Sequence, residues 1–132
     1  MTLQSEEINS LVIYRSERAL QALEEAKAVT EMGFWTLAVQ RLYYAVYYAQ
    51  CALLLKRGIS ASTHAGVIAI IGLHFVKEGL ISPDENSLIG KLFSMRQTGD
   101  YGDIFSWSKK DVEPLISETE TLVKNLLDLL DK

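Results

Sequence analysis

The stretch from Phe34 to Arg57 constrains this chain more than any other, because it is apolar nearly all round a helix and stops at Gly58. A helix with no polar face has to be surrounded by protein, and a glycine just past its end is the usual stop. The segment therefore predicts a central helix with others packed around it. It does not predict a membrane span. Its most apolar part, Leu42 to Leu55, is interrupted by Gln50 and carries four tyrosines, whereas crossing a bilayer takes about 20 apolar residues.

Four further helices follow from apolar residues recurring at about 100° per residue. The first should run from Ser5 to Glu31, with Ile8, Leu11, Val12, Ala19, Ala22, Leu23, Ala26 and Val29 on one stripe and Arg15 in its middle. The alanines of its later part let a neighbour approach closely. A third helix is expected from Thr63 to Glu78, with His64, Val67, Ile68, Ile71 and Phe75 on one face before Gly79. Ser82-Pro83-Asp84-Glu85 then carries a cap, a first-turn proline and a capping-box glutamate. The fourth helix begins there, buries Leu88, Ile89, Leu92, Phe93 and Met95, and should end at Gly99 and Gly102. The fifth starts near Ser108 or Asp111, and Pro114 would kink it in the first case and fit its first turn in the second. Val112, Leu115, Ile116, Leu122, Val123, Leu126 and Leu130 form its stripe. No period-2 strand and no repeat is apparent. The expected fold is all-α: an up-and-down bundle of about five helices joined by short connections.

Composition narrows the setting. A chain of 132 residues, 48% hydrophobic and 23% charged, suits one globular domain spanning 1–132. Net charge is −4 and the pI about 5.2, which excludes a chain-wide basic clamp on nucleic acid, so any RNA contact must be local. The lone Cys51 cannot form an internal disulfide, and the polar, acidic start is no signal peptide. A cytoplasmic location is the expectation.

The chain has no Cys pair, no His-x-x-x-His and no Glu-x-x-His, so no metal site is expected, and no cofactor motif occurs either. What remains is a set of polar residues on faces that should be buried. Arg41, Tyr44 and Tyr48 are spaced i, i+3, i+7 on the central helix, and Tyr43 and Tyr47 line the adjacent strip. His64 sits among isoleucines, and Arg96 falls between Ile89 and Leu92 with Asp100 and Tyr101 a turn onward. Burying a lone guanidinium costs several kcal/mol (about 3–5 when its partner is removed), so these arginines need partners or a wet cleft. For Arg96 that partner is either Asp100, as an i, i+4 ion pair, or a phosphate in a cleft shared with Tyr101 and His64. For His64 the plain alternative is a ring satisfying a local backbone group near the helix start.

Three blocks occurring in this order resemble the HEPN family: Arg41-Leu-Tyr-Tyr-Ala with Leu53-Leu-Leu-Lys-Arg-Gly58, then Thr63-His64-Ala-Gly-Val-Ile with His74-Phe-Val-Lys-Glu-Gly79, then Arg96-Gln-Thr-Gly-Asp100-Tyr101. The last is similar to the R-x-x-x-D-Y element of small prokaryotic members. The resemblance implies a homodimer, encoded beside a minimal nucleotidyltransferase in a toxin–antitoxin-type module, that binds nucleotide or RNA in a dimer cleft through Arg41, Tyr44, Tyr48, His64 and Asp100. Ribonuclease members place a histidine four to six residues after the motif arginine. Here that position holds Tyr101, a poor general base at neutral pH with an ordinary pKa of about 10. Two alternatives stand beside the binding role. One is a metal-independent ribonuclease in which Arg96 is catalytic with Tyr101 or His64, and the other is a dimerisation or adaptor module without chemistry.

Overall fold

The structure, a computed structural model, describes residues 2–99 and 106–132, with side chains from residue 5 onward. The described residues include five α-helices and no strand: α1 (Thr2–Glu31), α2 (Trp35–Lys56), α3 (His64–Ile70), α4 (Pro83–Gly99) and α5 (Lys109–Asp128). Among the described residues no helix is long and apolar enough to cross a membrane.

α2 is the centre, as its composition dictates. α1 lies along its whole length, and α4 and α5 pack on other sides of it. Leu42, Val46, Ala49 and Leu53 of α2 are sealed in a core with Ala19, Ala22 and Ala26 of α1 and with Leu122, Val123 and Leu126 of α5. The alanines on α1 bring the two long helices close, and the hairpin between them turns at Gly33, whose φ of 80° is open to glycine without strain. α2 closes in a Schellman motif at Gly58: Gly58 N–H donates to Leu55 O at 3.1 Å and Ile59 N–H to Leu54 O at 2.9 Å.

Several expectations need correction. α1 begins at Thr2 rather than Ser5. Its stripe is not wholly covered: Ile8 and Leu11 remain 37% and 39% exposed, because antiparallel pairing about Gly33 brings the end of α2, at Lys56, level with this stretch. The third helix is not one α-helix. After Ile70 the chain widens into a π-helical turn over Ile71–Val76, yet Ile71 and Phe75 both stay buried. α4 is described as far as Gly99, one of its two expected stops, and there an added Cβ would come within 3.2 Å of Thr36 Cγ2 and 3.5 Å of the Trp107 indole. The expected stop at Gly102 lies outside the described residues. Ser108, not Asp111, precedes α5, and the helix runs on through Pro114. Asp111 Oδ2 accepts from the Ser108 N–H at 3.1 Å and from its hydroxyl at 2.9 Å.

The start of α4 is as expected. Glu85 N–H donates to Ser82 Oγ at 3.1 Å while the Ser82 N–H donates to Glu85 Oε1 at 3.0 Å, satisfying two orphan donors at once. Ser82→Ala should therefore cost about 1 kcal/mol in a urea denaturation, with the helical circular dichroism of the native state unchanged.

Candidate functional site

α2 is not enclosed on every side, and this is where polar side chains gather. Leu37, Arg41, Tyr44, Tyr47, Tyr48, Cys51 and Leu55 keep partial exposure while the residues between them, Gln40 excepted, are buried. These positions fall on one side of the helix. They form an open strip about 27 Å long, at about 1.5 Å per residue from Leu37 to Leu55.

Arginines from three helices are laid on the strip. Arg41 is stacked on the Tyr44 ring, Cζ 5.3 Å from its centroid, and its Nη1 donates to Glu25 Oε1 of α1 at 3.2 Å. Its Nε is buried with no hydrogen-bond partner among the described residues. Arg18 of α1 places its Cζ 5.3 Å from the Tyr48 centroid. Arg96 of α4 stands 5.5 Å from the centroids of both Tyr43 and Tyr44, and its Nη2 donates to Tyr44 Oη at 3.2 Å. Arg15 lines a cavity of 200 Å³ beside Cys51. Contacts of this kind contribute about 0.5–2 kcal/mol each, more where water is excluded. Glu25–Arg41, Arg18–Tyr48 and Arg15–Cys51 each sit equally far along the chain from Gly33, so one antiparallel register sets all three.

His64 closes the strip from the α3 side. Its ring lies flat on Tyr47, centroids 4.1 Å apart and planes 3° apart, and its Nδ1 shares a hydrogen bond with Tyr43 Oη. Burial first, and the nearby charge of Arg96 second, hold its pKa below the usual histidine value. Burial also raises Tyr43, and burial with the Cys51 thiol pushes Tyr47 up to about 12. Phenols so disposed donate rather than ionise. Tyr43 O–H therefore donates to Nδ1, leaving His64 neutral with its proton on Nε2. Cys51 is likewise held as a thiol by burial, against the opposing effects of Tyr47 and Arg15. At neutral pH the strip thus carries fixed arginine charge beside a neutral His64 whose Nδ1 already accepts from Tyr43.

The sign of the pH effect on stability follows. Below about pH 6.5 the unfolded chain takes up a proton that folded His64 resists, so the native state loses stability as pH falls. At the alkaline end, stability is lost as pH rises past about 10, where unfolded tyrosines ionise and folded Tyr43 and Tyr47 do not. Thermal melts between pH 5 and 7 should slope downward toward acid, and His64→Gln should flatten that slope. An unchanged slope in the variant would place its cause elsewhere.

Of the residues singled out in the sequence, Arg41, Tyr44, Tyr48, His64 and Arg96 come together here, and Arg96 and His64 share one cleft. Asp100 and Tyr101 lie outside the described residues. His74 is exposed and apart. Periodicity alone left out Tyr43 and Tyr47 as site residues, along with Arg18 and Glu25. The signal for the last two was the hairpin register. Among the described residues no cluster of His, Cys, Asp or Glu could hold a metal ion.

A helical bundle built on one central helix, with an arginine–tyrosine–histidine cleft along its open side, defines the class. The model of the HEPN domain matches residues 14–129, and the chain belongs to the HEPN family. It is 33% identical to a protein named "UPF0332 protein" from Thermotoga maritima, over 96% of this chain and 92% of that one. It is 35% identical to a "Putative toxin" of Methanocaldococcus jannaschii, over 92% of this chain and 87% of the relative. A second toxin-named protein of that organism is 30% identical over 76% of this chain and 68% of its own length.

Proposed function

We propose that this HEPN protein is one half of a toxin–antitoxin-type module, working as a homodimer with a minimal nucleotidyltransferase partner, and that its α2 strip binds nucleotide or single-stranded RNA. The observation that carries the reading is Arg96 standing over both Tyr43 and Tyr44. Aromatic faces interleaved with guanidinium groups suit unpaired bases and their phosphates, because every base has a face to stack and every nucleotide a charge to meet. The chain is acidic overall, yet Arg15, Arg18, Arg41 and Arg96 all converge on this strip, with Glu25 engaged by Arg41. The module and its partner rest on the family resemblance and on the toxin names of the relatives.

A second reading has its own observation. Arg96 lies close enough to His64 to depress its pKa. A neutral imidazole beside a guanidinium suits metal-independent RNA cleavage once Nδ1 exchanges its hydrogen bond from Tyr43 for the 2′-hydroxyl proton, Nε2 already carrying a proton, while the cation steadies the phosphate.

One experiment separates the two readings. Metal-free protein is titrated into labelled single-stranded and double-stranded RNA of one sequence, followed by anisotropy, and the RNA is then run on a gel. Binding that favours the single strand, with the RNA intact, is expected. Cleavage abolished by both Arg96→Ala and His64→Gln would establish the second reading instead. No binding of either RNA, and none of nucleoside triphosphate, would end the ligand assignment.

A further inference from the structure

Away from the strip, α4 and α5 both rest on α2 but touch each other little, and a groove of 670 Å³ lies between them. The two helices run antiparallel. Asn125 Nδ2 donates to Glu85 Oε2 at 2.9 Å across one end, and toward the other Lys91 acts on Asp111. Leu88, Leu115 and Leu122 form an apolar floor, and Asp84, Glu85 and Glu118 stand on the rim. Burial alone would raise the Glu85 carboxyl, but the hydrogen bonds from Asn125 and Ser82 outweigh it and keep the group ionised. Lys91, the one cation on the rim, is directed partly at Asp111. The rim is therefore negative over a leucine floor.

From this geometry we infer that the α4–α5 groove docks a basic amphipathic helix of a partner protein, apolar side chains on Leu88, Leu115 and Leu122 and lysines or arginines against Asp84, Glu85 and Glu118. A furrow between two helices is the shape into which a third helix seats its ridge, with interaxial distances of about 8–10 Å. The groove is open along its length, so a small molecule would not reach the roughly 70–90% enclosure its sites provide. A second copy offering its Ile8 and Leu11 face is a poor occupant, because Glu6 and Glu7 flank that face and would bring carboxylates against carboxylates; one offering Ile13, Leu20 or Leu73, which are also exposed, would show as a change in oligomeric state. The inference is independent of the ligand assigned to the α2 strip.

The test uses the full chain and two synthetic amphipathic helices with the same leucine face, one bordered by lysines and one by glutamates. NMR shifts on adding the lysine peptide should concentrate on α4 and α5, and the glutamate peptide should bind at least ten-fold more weakly. Asp84→Lys with Glu118→Lys changes two exposed side chains and should preserve the melting profile while reducing affinity for the lysine peptide at least ten-fold. Lysine-peptide affinity unmoved by the double reversal, equal binding of both peptides, or shifts centred on the tyrosines would each overturn the inference. So would a change in the chain's oligomeric state on Glu118→Lys alone, which would make a second copy the occupant.

Discussion

Arg96→Ala is expected to weaken single-stranded RNA binding at least ten-fold and to raise the pKa of His64, two readouts from one side chain. Removing the guanidinium takes away a cation that faces two tyrosine rings and donates to Tyr44 Oη. A charge-assisted hydrogen bond from such a guanidinium to a phosphate contributes about 1.5–3 kcal/mol, and about 1.4 kcal/mol is a factor of ten in affinity. The His64 effect has a definite sign. Arg96 disfavours the imidazolium, so its loss lets the ring hold its proton to higher pH, although burial, the larger cause, remains. Arg96→Lys sharpens the test, because it keeps the charge and loses the planar fork. The lysine variant should leave the His64 titration close to the native one while binding RNA at an intermediate level. NMR titration of the histidine Cε1 protons follows the first quantity and anisotropy the second. If His64 does not move in Arg96→Ala, the two residues do not share a field and the cleft has been assembled wrongly.

Leu42→Ala is expected to lower the unfolding free energy by about 2–5 kcal/mol. Leu42 is fully buried on the closed side of α2, so truncation leaves a void that rigid neighbours on α1 and α5 fill only in part. The comparison that makes this informative is Leu37→Ala, five residues earlier on the same helix but 42% exposed on the open strip. That change should cost no more than about 0.5 kcal/mol, the usual range at exposed positions. Urea denaturation of both variants measures the contrast. Similar losses at the two positions would mean that the strip is covered in the folded protein.

The bundle was legible in the sequence because burial writes itself as periodicity. The nearly all-apolar α2, the alanines of α1 and the long stripe of α5 each pointed to a face, and Gly33, Gly58 and Gly79, all with positive φ, closed helices where they were expected to. The π-helical turn at Ile71–Val76 was not legible, since residues four apart face the core in either helix type and Ile71 and Phe75 fit both. Gly99 was legible only in part: it stands at the last described residue of α4, as its stop signal expected, but it also makes room for Thr36 and Trp107, which are distant in sequence. Half of the site could be read from spacing along α2. The other half, Arg18, Glu25 and the meeting of Arg96 with His64, depends on which helix lies against which, and local pattern does not carry that.

The Gly33 hairpin has a role larger than joining two helices. Because Glu25–Arg41, Arg18–Tyr48 and Arg15–Cys51 are all equidistant from it, the connection acts as a ruler with one setting. One residue added between Gly33 and Trp35 would advance every α2 side chain by a step, turning the strip about 100° away from the α1 arginines. The three pairings would fail together, though no participating residue had changed. In relatives of this chain the connection should therefore hold its length more strictly than its composition, and a change there should be matched by a compensating one in α1.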